Sequence, residues 1–230
     1  MIRAVIFDIG GPIDLETQFE AAIDGNIRAG LEREDITVSD EAYAAAERRA
    51  VEVCAPSIYR SILWQFARPD GALCRRVDDW LEERAAKRSF FELRPGISDV
   101  LESIHSQELK IGLAANQPLS VLQHLDEHGI GRYFENEGIS GRHGFRKPDV
   151  RVFLQACTDL GVQAGECIMV GDRMDNDIVP AKLLGMRTVR VRTGRHRAQE
   201  PRSWDEIPDV EVEDAAGIGK AIELLLAEAR

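Results

Sequence analysis

Four acids and one lysine stand where this chain could do chemistry. Asp8 follows the apolar run Val5-Ile6-Phe7 and precedes Gly10 and Gly11. Such a run suits a central parallel strand, and glycines straight after it let the backbone turn sharply and approach a ligand. Asp8 is thereby delivered to the end of a buried strand, where its alternative use is to cap a helix or turn. A second apolar run, Ile168-Met169-Val170, leads at once into Gly171-Asp172, with Asp175 and Asp177 close behind. Hard oxygen ligands clustered at a strand end suit Mg²⁺. Solvated acids are the simpler alternative, but an acid directly after a buried strand is hard to explain as a solvated face. In Arg146-Lys147-Pro148-Asp149 the proline predicts a helix start, and a lysine held there is a point charge suited to a phosphoryl group; an isolated lysine is otherwise a surface charge. The stretch Ala114-Ala115-Asn116-Gln117-Pro118 offers backbone amides and the Asn116 amide to an anion, or forms a plain turn.

Each of these stretches ends a strand or opens a helix, so the elements around them must bring strand ends together. Beyond Arg94-Pro95-Gly96, short β-rich runs at 110–115, 166–170 and 187–191 alternate with helical stretches near 97–107, 119–129, 149–160 and 177–184. That βαβ rhythm predicts the α/β class, with a Rossmann-like parallel sheet, right-handed crossovers and a ligand crevice at the carboxyl ends of the strands. Residues 16–91 follow a different period. Phe19, Ile23, Ile27 and Leu31 recur every four residues, as do Ile58, Ile62 and Phe66, which is the spacing of one helix face. Cap and turn signals at Ser39-Asp40-Glu41 and Arg68-Pro69-Asp70-Gly71 divide the segment into about four helices. The expected organisation is an α/β core of 1–15 and 92–230 carrying an inserted all-α subdomain at 16–91. The segment from Thr193 to Pro208 reads as a surface excursion before a last strand at 209–212 and a helix at 215–229.

The 230 residues include 29 Lys+Arg against 40 Asp+Glu, a formal net charge of −11. Such a molecule repels phosphate backbones and anionic lipid, so neither nucleic acid nor a membrane is an expected partner. A small anionic substrate needs a local positive feature to overcome that field, either basic side chains or a bound divalent metal. Cys54, Cys74, Cys157 and Cys167 lack the spacing of a zinc site and predict reduced thiols. With no stretch apolar enough for a signal core or a membrane span, a soluble cytoplasmic protein is expected.

Taken in order, the four stretches resemble the haloacid dehalogenase (HAD) superfamily. Its usual signature is Asp-x-Asp after the first strand, Ser or Thr after the second, a distant Lys, and Gly-Asp with a further acid four or five positions on. The match covers 1–14 and about 93–192, and the insert at 16–91 matches the helical cap of C1-type members by position and size. The resemblance implies a hydrolase, most simply a Mg²⁺-dependent phosphatase acting on a small phosphorylated metabolite. Asp8 would be the nucleophile that becomes an aspartyl-phosphate, and Lys147 would neutralise the transferring group. Mg²⁺ would be held by Asp8, Asp172 and the backbone carbonyl of Gly10, with Asp177 in support and Asp175 competing for that role. Asn116, Gly11 and Arg146 are the candidate contacts to phosphate or substrate.

The chain departs from that pattern at Gly10, where phosphatases of the family usually carry their general acid and base, at Ala115 in place of Ser or Thr, and at Pro12. Loss of general acid catalysis is worth ~10²–10⁴ in rate. Two further readings therefore stand beside the phosphatase. One is a binding or regulatory protein that keeps the metal and anion pocket with little turnover; the other is a dehalogenase-type attack on carbon by Asp8, in which Asp172 and Asp177 would lack a metal to hold. Of the histidines, His143 is the one placed to reach the crevice.

Overall fold

The computed structural model describes residues 1–85 and 90–229. The chain divides into two compact units, Met1–Leu15 with Leu93–Arg230, and Glu16–Glu92. In the first unit five strands, β1 (Ala4–Phe7), β2 (Lys110–Leu113), β3 (Cys167–Gly171), β4 (Arg187–Val191) and β5 (Val210–Val212), form one sheet in the order β2-β1-β3-β4-β5. Every pairing is parallel. All four residues of β1 are fully buried, as a strand covered on both faces requires. The chain runs from β1 to one side for β2 and to the other for β3, so the topological switch lies between β1 and β3. Phe7 pairs with Val170 in that register, which sets Asp8 beside Gly171 at the carboxyl ends of both strands.

The second unit consists, among its described residues, of α1 (Thr17–Glu32), α2 (Asp40–Glu52), α3 (Ile58–Ala67) and α4 (Gly71–Ala85). Their apolar faces meet in one core, in which Ile27, Leu31, Ile58, Ile62 and Val77 are buried. Ser39 caps α2 by accepting from the Ala42 N–H at 3.2 Å, and Asp70 caps α4 by accepting from Ala72 and Leu73. Residues 86–89, the end of the stretch expected to be helical, lie outside the described residues.

Around the sheet lie α5 (Ile97–Ser106), α6 (Val121–Glu127), α7 (Ser140–His143), α8 (Arg151–Leu160), α9 (Val179–Leu183) and α10 (Ala215–Glu228). Val152, Phe153, Ala156 and Leu160 of α8 pack with Ala4 and Ile6 of β1 and with Cys167 and Met169 of β3, alternate residues that share one face of the sheet. None of the four cysteines is in a disulfide among the described residues. No helix among the described residues is long and apolar enough to cross a membrane.

Three expectations need correction. Pro148 does not open α8: the helix begins at Arg151, whose N–H is capped by Asp149 Oδ1 at 3.0 Å, and Pro148 sits in the turn before it. The helix expected from 177 is preceded by a wide π turn, Met174–Ile178, with α9 following from Val179. The excursion from 193 to 208 is not merely a surface loop, since His196, Gln199 and Glu206 are buried.

Candidate active site

Asp8 leaves the end of β1 with its N–H donated to the Val170 carbonyl at 2.9 Å, which pins it to β3. Its Oδ1 accepts from the Ile9 N–H at 2.7 Å, and its Oδ2 lies 2.8 Å from Lys147 Nζ. Lys147 Nζ also donates to Asp177 Oδ1 at 2.6 Å, so one buried ammonium bridges two carboxylates from different parts of the chain. The other oxygen of Asp177 accepts from the N–H groups of Asp172 and Arg173 at 3.2 and 3.0 Å. Asp8, Asp172 and Asp177 are all buried and each presents an oxygen within 4.8 Å of the others.

Two glycines make this crowding possible. At Gly171 a Cβ would lie 2.4 Å from the Cβ of Asp177, so only glycine lets that acid fold back over the strand end. At Gly11, where φ is 82°, a Cβ would lie 2.7 Å from the Cβ of Asp172. Both the left-handed backbone and the close approach exclude other residues there. The wide π turn supplies the remaining geometry, as such turns often do at functional sites. Asp177 and Ile178 both donate to the Arg173 carbonyl, and Gln199 holds the turn from outside by accepting from Met174 N–H at 2.9 Å and donating to Asp175 Oδ1 at 3.1 Å. Asp175 is thereby turned toward Gln199 and Arg173, and Asp177 is the acid that joins the cluster.

Lys147 is positioned through its own backbone. Asn116 Oδ1 accepts from the Lys147 N–H at 2.8 Å and its Nδ2 donates to the Lys147 carbonyl at 3.0 Å. Asn116, expected to face the anion, is thus the bracket that sets the lysine. Gly11 is likewise not a ready anion donor: its N–H goes to the Asp14 carbonyl, and its own carbonyl accepts from the buried Arg94 guanidinium, which also reaches Thr193 Oγ1 at 2.8 Å. Arg94 and Gln199 escaped the sequence reading because each acts across a long separation that no local period marks. Gly10 is buried and has an ordinary negative φ, and no described residue donates a hydrogen bond to its carbonyl. Ala115 is fully buried, its N–H spent on Gly138. Arg146 is exposed, outside the cluster. His143 Nε2 is buried without a hydrogen-bond partner among the described residues and is likewise no part of it.

The formal charge of the cluster is three carboxylates against one ammonium. Burial pushes the Asp8 carboxyl up to about 6; Lys147 works against that rise, and Asp177 adds to it. Burial acts to lower the Lys147 ammonium, but Asp177 and Asp8 outweigh it and the net direction is up. Lys147 is therefore a cation at neutral pH, beside an Asp8 that is mostly ionised there. The excess of negative charge and the hard carboxylate oxygens of Asp8, Asp172 and Asp177, which lie within 4.8 Å of one another, fit a divalent cation.

A family model described as haloacid dehalogenase-like hydrolase matches residues 2–185. The chain is 31% identical over 223 residues to a glyceraldehyde 3-phosphate phosphatase of Methanopyrus kandleri, covering 93% of this chain and 94% of that one. It is 31% identical over 160 residues to a phosphoserine phosphatase of Thermus thermophilus, covering 69% of this chain and 60% of the relative. Among solved structures, a HAD phosphatase from Thermococcus onnurineus superposes with a TM-score of 0.62 at 23% identity, covering 96% of this chain and 98% of that one.

Proposed function

Because this chain belongs to the haloacid dehalogenase-like hydrolases, we propose that it is a Mg²⁺-dependent phosphatase that hydrolyses a small phosphorylated metabolite through an aspartyl-phosphate on Asp8. The observation that supports this most is the buried Lys147 ammonium held between Asp8 and Asp177 at 2.8 and 2.6 Å. A carboxylate so placed has a cation beside it to receive the charge of a transferring phosphoryl group. Asp8, Asp172 and the Gly10 carbonyl would hold Mg²⁺, with Asp177 fixing Lys147 and the Asp172 backbone. Bound there, the ion would supply divalent charge against the phosphoryl oxygens. Relatives named for glyceraldehyde 3-phosphate and phosphoserine support a small phosphoester as substrate. The Glu16–Glu92 unit is assigned the part of the cap that the family resemblance implies.

In the first half-reaction an Asp8 oxygen attacks phosphorus and the bond from phosphorus to the ester oxygen breaks. The departing oxygen takes its proton from solvent, because Gly10 carries no acid. Water then attacks phosphorus, gives its proton to solvent and releases Asp8 as a carboxylate together with inorganic phosphate. Esters whose alcohol is already a good leaving group are favoured by such a site. Gly10 and Ala115 also support a second reading, a protein that binds phosphoesters with little turnover. Attack on carbon is the least supported, since the buried Asp172 and Asp177 are arranged for charge that such a reaction does not use.

A screen of phosphomonoesters with and without Mg²⁺, comparing wild type with Asp8→Asn, tests the proposal. Mg²⁺-dependent release of phosphate by the wild type and none by the variant is expected, with acid-quenched label trapped on the wild type alone. Turnover retained in Asp8→Asn overturns the nucleophile; no turnover of any ester by the wild type favours the binding protein.

A further inference from the structure

Lys147 is buried at the centre of the site, and the residue before it is not. Arg146 is exposed, and among the described residues its guanidinium has no partner. Every other described arginine of the Met1–Leu15 and Leu93–Arg230 unit has a hydrogen bond, an ion pair or another electrostatic or ring contact. In a chain with 40 acids the exception is informative. Arg146 lines a groove of about 430 Å³ together with Asn116, Gln117, Ser140 and Gly144, and no carboxylate is among the lining residues. A second groove of the same unit makes the contrast: its Arg192 is already paired with Glu200 and Glu211, and its walls carry three glutamates.

The Arg146 groove is also tied down. Ser140 N–H donates to the Ala115 carbonyl at 2.9 Å and Gly141 N–H to the Gln117 carbonyl at 3.1 Å, which fastens the start of α7 to the segment after β2. A Cβ on Gly141 would come within 3.0 Å of the Leu119 nitrogen, so the two segments pack closely. One wall, Asn116, is the same residue that brackets the Lys147 backbone. A ligand in the groove would therefore share a wall, Asn116, with the backbone of Lys147.

We infer that Arg146 and this groove form a subsite for a carboxylate carried by the substrate, so that the preferred esters are phosphorylated carboxylic acids. The inference rests on the phosphatase reading and narrows its substrate class. A guanidinium presents paired donors that match a carboxylate, and a groove free of acids leaves them available. A second phosphate would fit the same donors, but it brings nearly two charges where a carboxylate brings one. In a molecule of net charge −11 the single charge is admitted at lower electrostatic cost.

Two substrate pairs differ chiefly at the carboxylate: 3-phosphoglycerate against glyceraldehyde 3-phosphate, and O-phosphoserine against O-phosphoethanolamine. The wild type should prefer the acid of each pair in kcat/KM, and Arg146→Gln should shrink that preference about tenfold, chiefly through KM, with Arg146→Lys intermediate. An unchanged preference in Arg146→Gln overturns the subsite, as does an equal loss on both members of a pair. If the wild type hydrolyses none of the four, the phosphatase reading is left to the broader ester screen and the subsite is judged by calorimetric titration with 3-phosphoglycerate. Binding about tenfold weaker in Arg146→Gln then sustains it, and equal or absent binding overturns it.

Discussion

One set of residues at the site, Lys147, Asp172 and Asp177, is charged and buried, with Lys147 fixed between Asn116, Asp8 and Asp177. The other, Gly10 after β1 and Ala115 after β2, carries no polar side chain. The first set places charge and holds it; the second is where a phosphatase of this kind would move a proton and donate a hydroxyl. These tasks are separable because a fixed charge acts through position alone, while proton transfer needs a titratable atom at one place in the transition state. The chain carries charged side chains suited to the first task and, at Gly10 and Ala115, none suited to the second.

The contrast is broken most severely by Lys147→Met. Asp8 and Asp177 would then be buried together without their cation, costing about 3–5 kcal/mol of stability, and turnover should fall by ~10²–10³. Denaturant unfolding beside steady-state kinetics measures both; a stable variant with full activity would show that the buried charges do not carry the charge stabilisation.

Gly10→Asp sharpens the contrast from the other side. The positive φ falls on Gly11, so position 10 accepts a side chain without left-handed strain. Alkyl phosphates should gain ~10²–10⁴ in rate and aryl phosphates much less, because only a poor leaving group needs a proton. Adding Ala115→Ser should increase that gain. Equal gains on both ester classes would mean that the new acid is not protonating the leaving group.

The smallest effect concerns stability against pH. Asp8 rises from its ordinary 3.8 to about 6 in the folded chain. A raised carboxyl stabilises the fold fully below the unfolded value, and that contribution is lost as pH climbs through about 6. With metal removed by chelation, Asp8→Asn should escape the loss and exceed the wild type by at most about 3 kcal/mol at neutral pH. Below pH ~4 the advantage should vanish. Thermal unfolding across pH 4–8 measures it, and a constant difference between the proteins would remove the burial of Asp8 as the cause.

Much of this arrangement was legible in the residues. An apolar run ending at Asp8, another ending at Gly171-Asp172, and helical spacing from Phe19 to Leu31 are local patterns, and local patterns specify strands, helices and their ends. Ser39 and Asp70 act as the caps their types suggest. What stayed hidden depends on distance along the chain. Arg94 reaches the Gly11 carbonyl 83 residues away, and Asn116 brackets Lys147 across 31. No period in the sequence separates Arg94 from the other arginines. Gly11 was legible as a turn residue but not as the space into which Asp172 fits, because that space exists only once β1 and β3 are paired.

The hold that Gln199 keeps on the turn carrying Asp177 bears on how the gene for this protein can change. Surface segments between strands ordinarily absorb insertions and deletions with little consequence. The stretch from 193 to 208 lacks that freedom over its first half, because Gln199 must arrive beside Met174, 25 positions earlier in the chain. A deletion of one codon between Thr193 and Gln199 would draw the amide away from the π turn, and the acid that anchors Lys147 would lose its support without any residue of the site itself being altered.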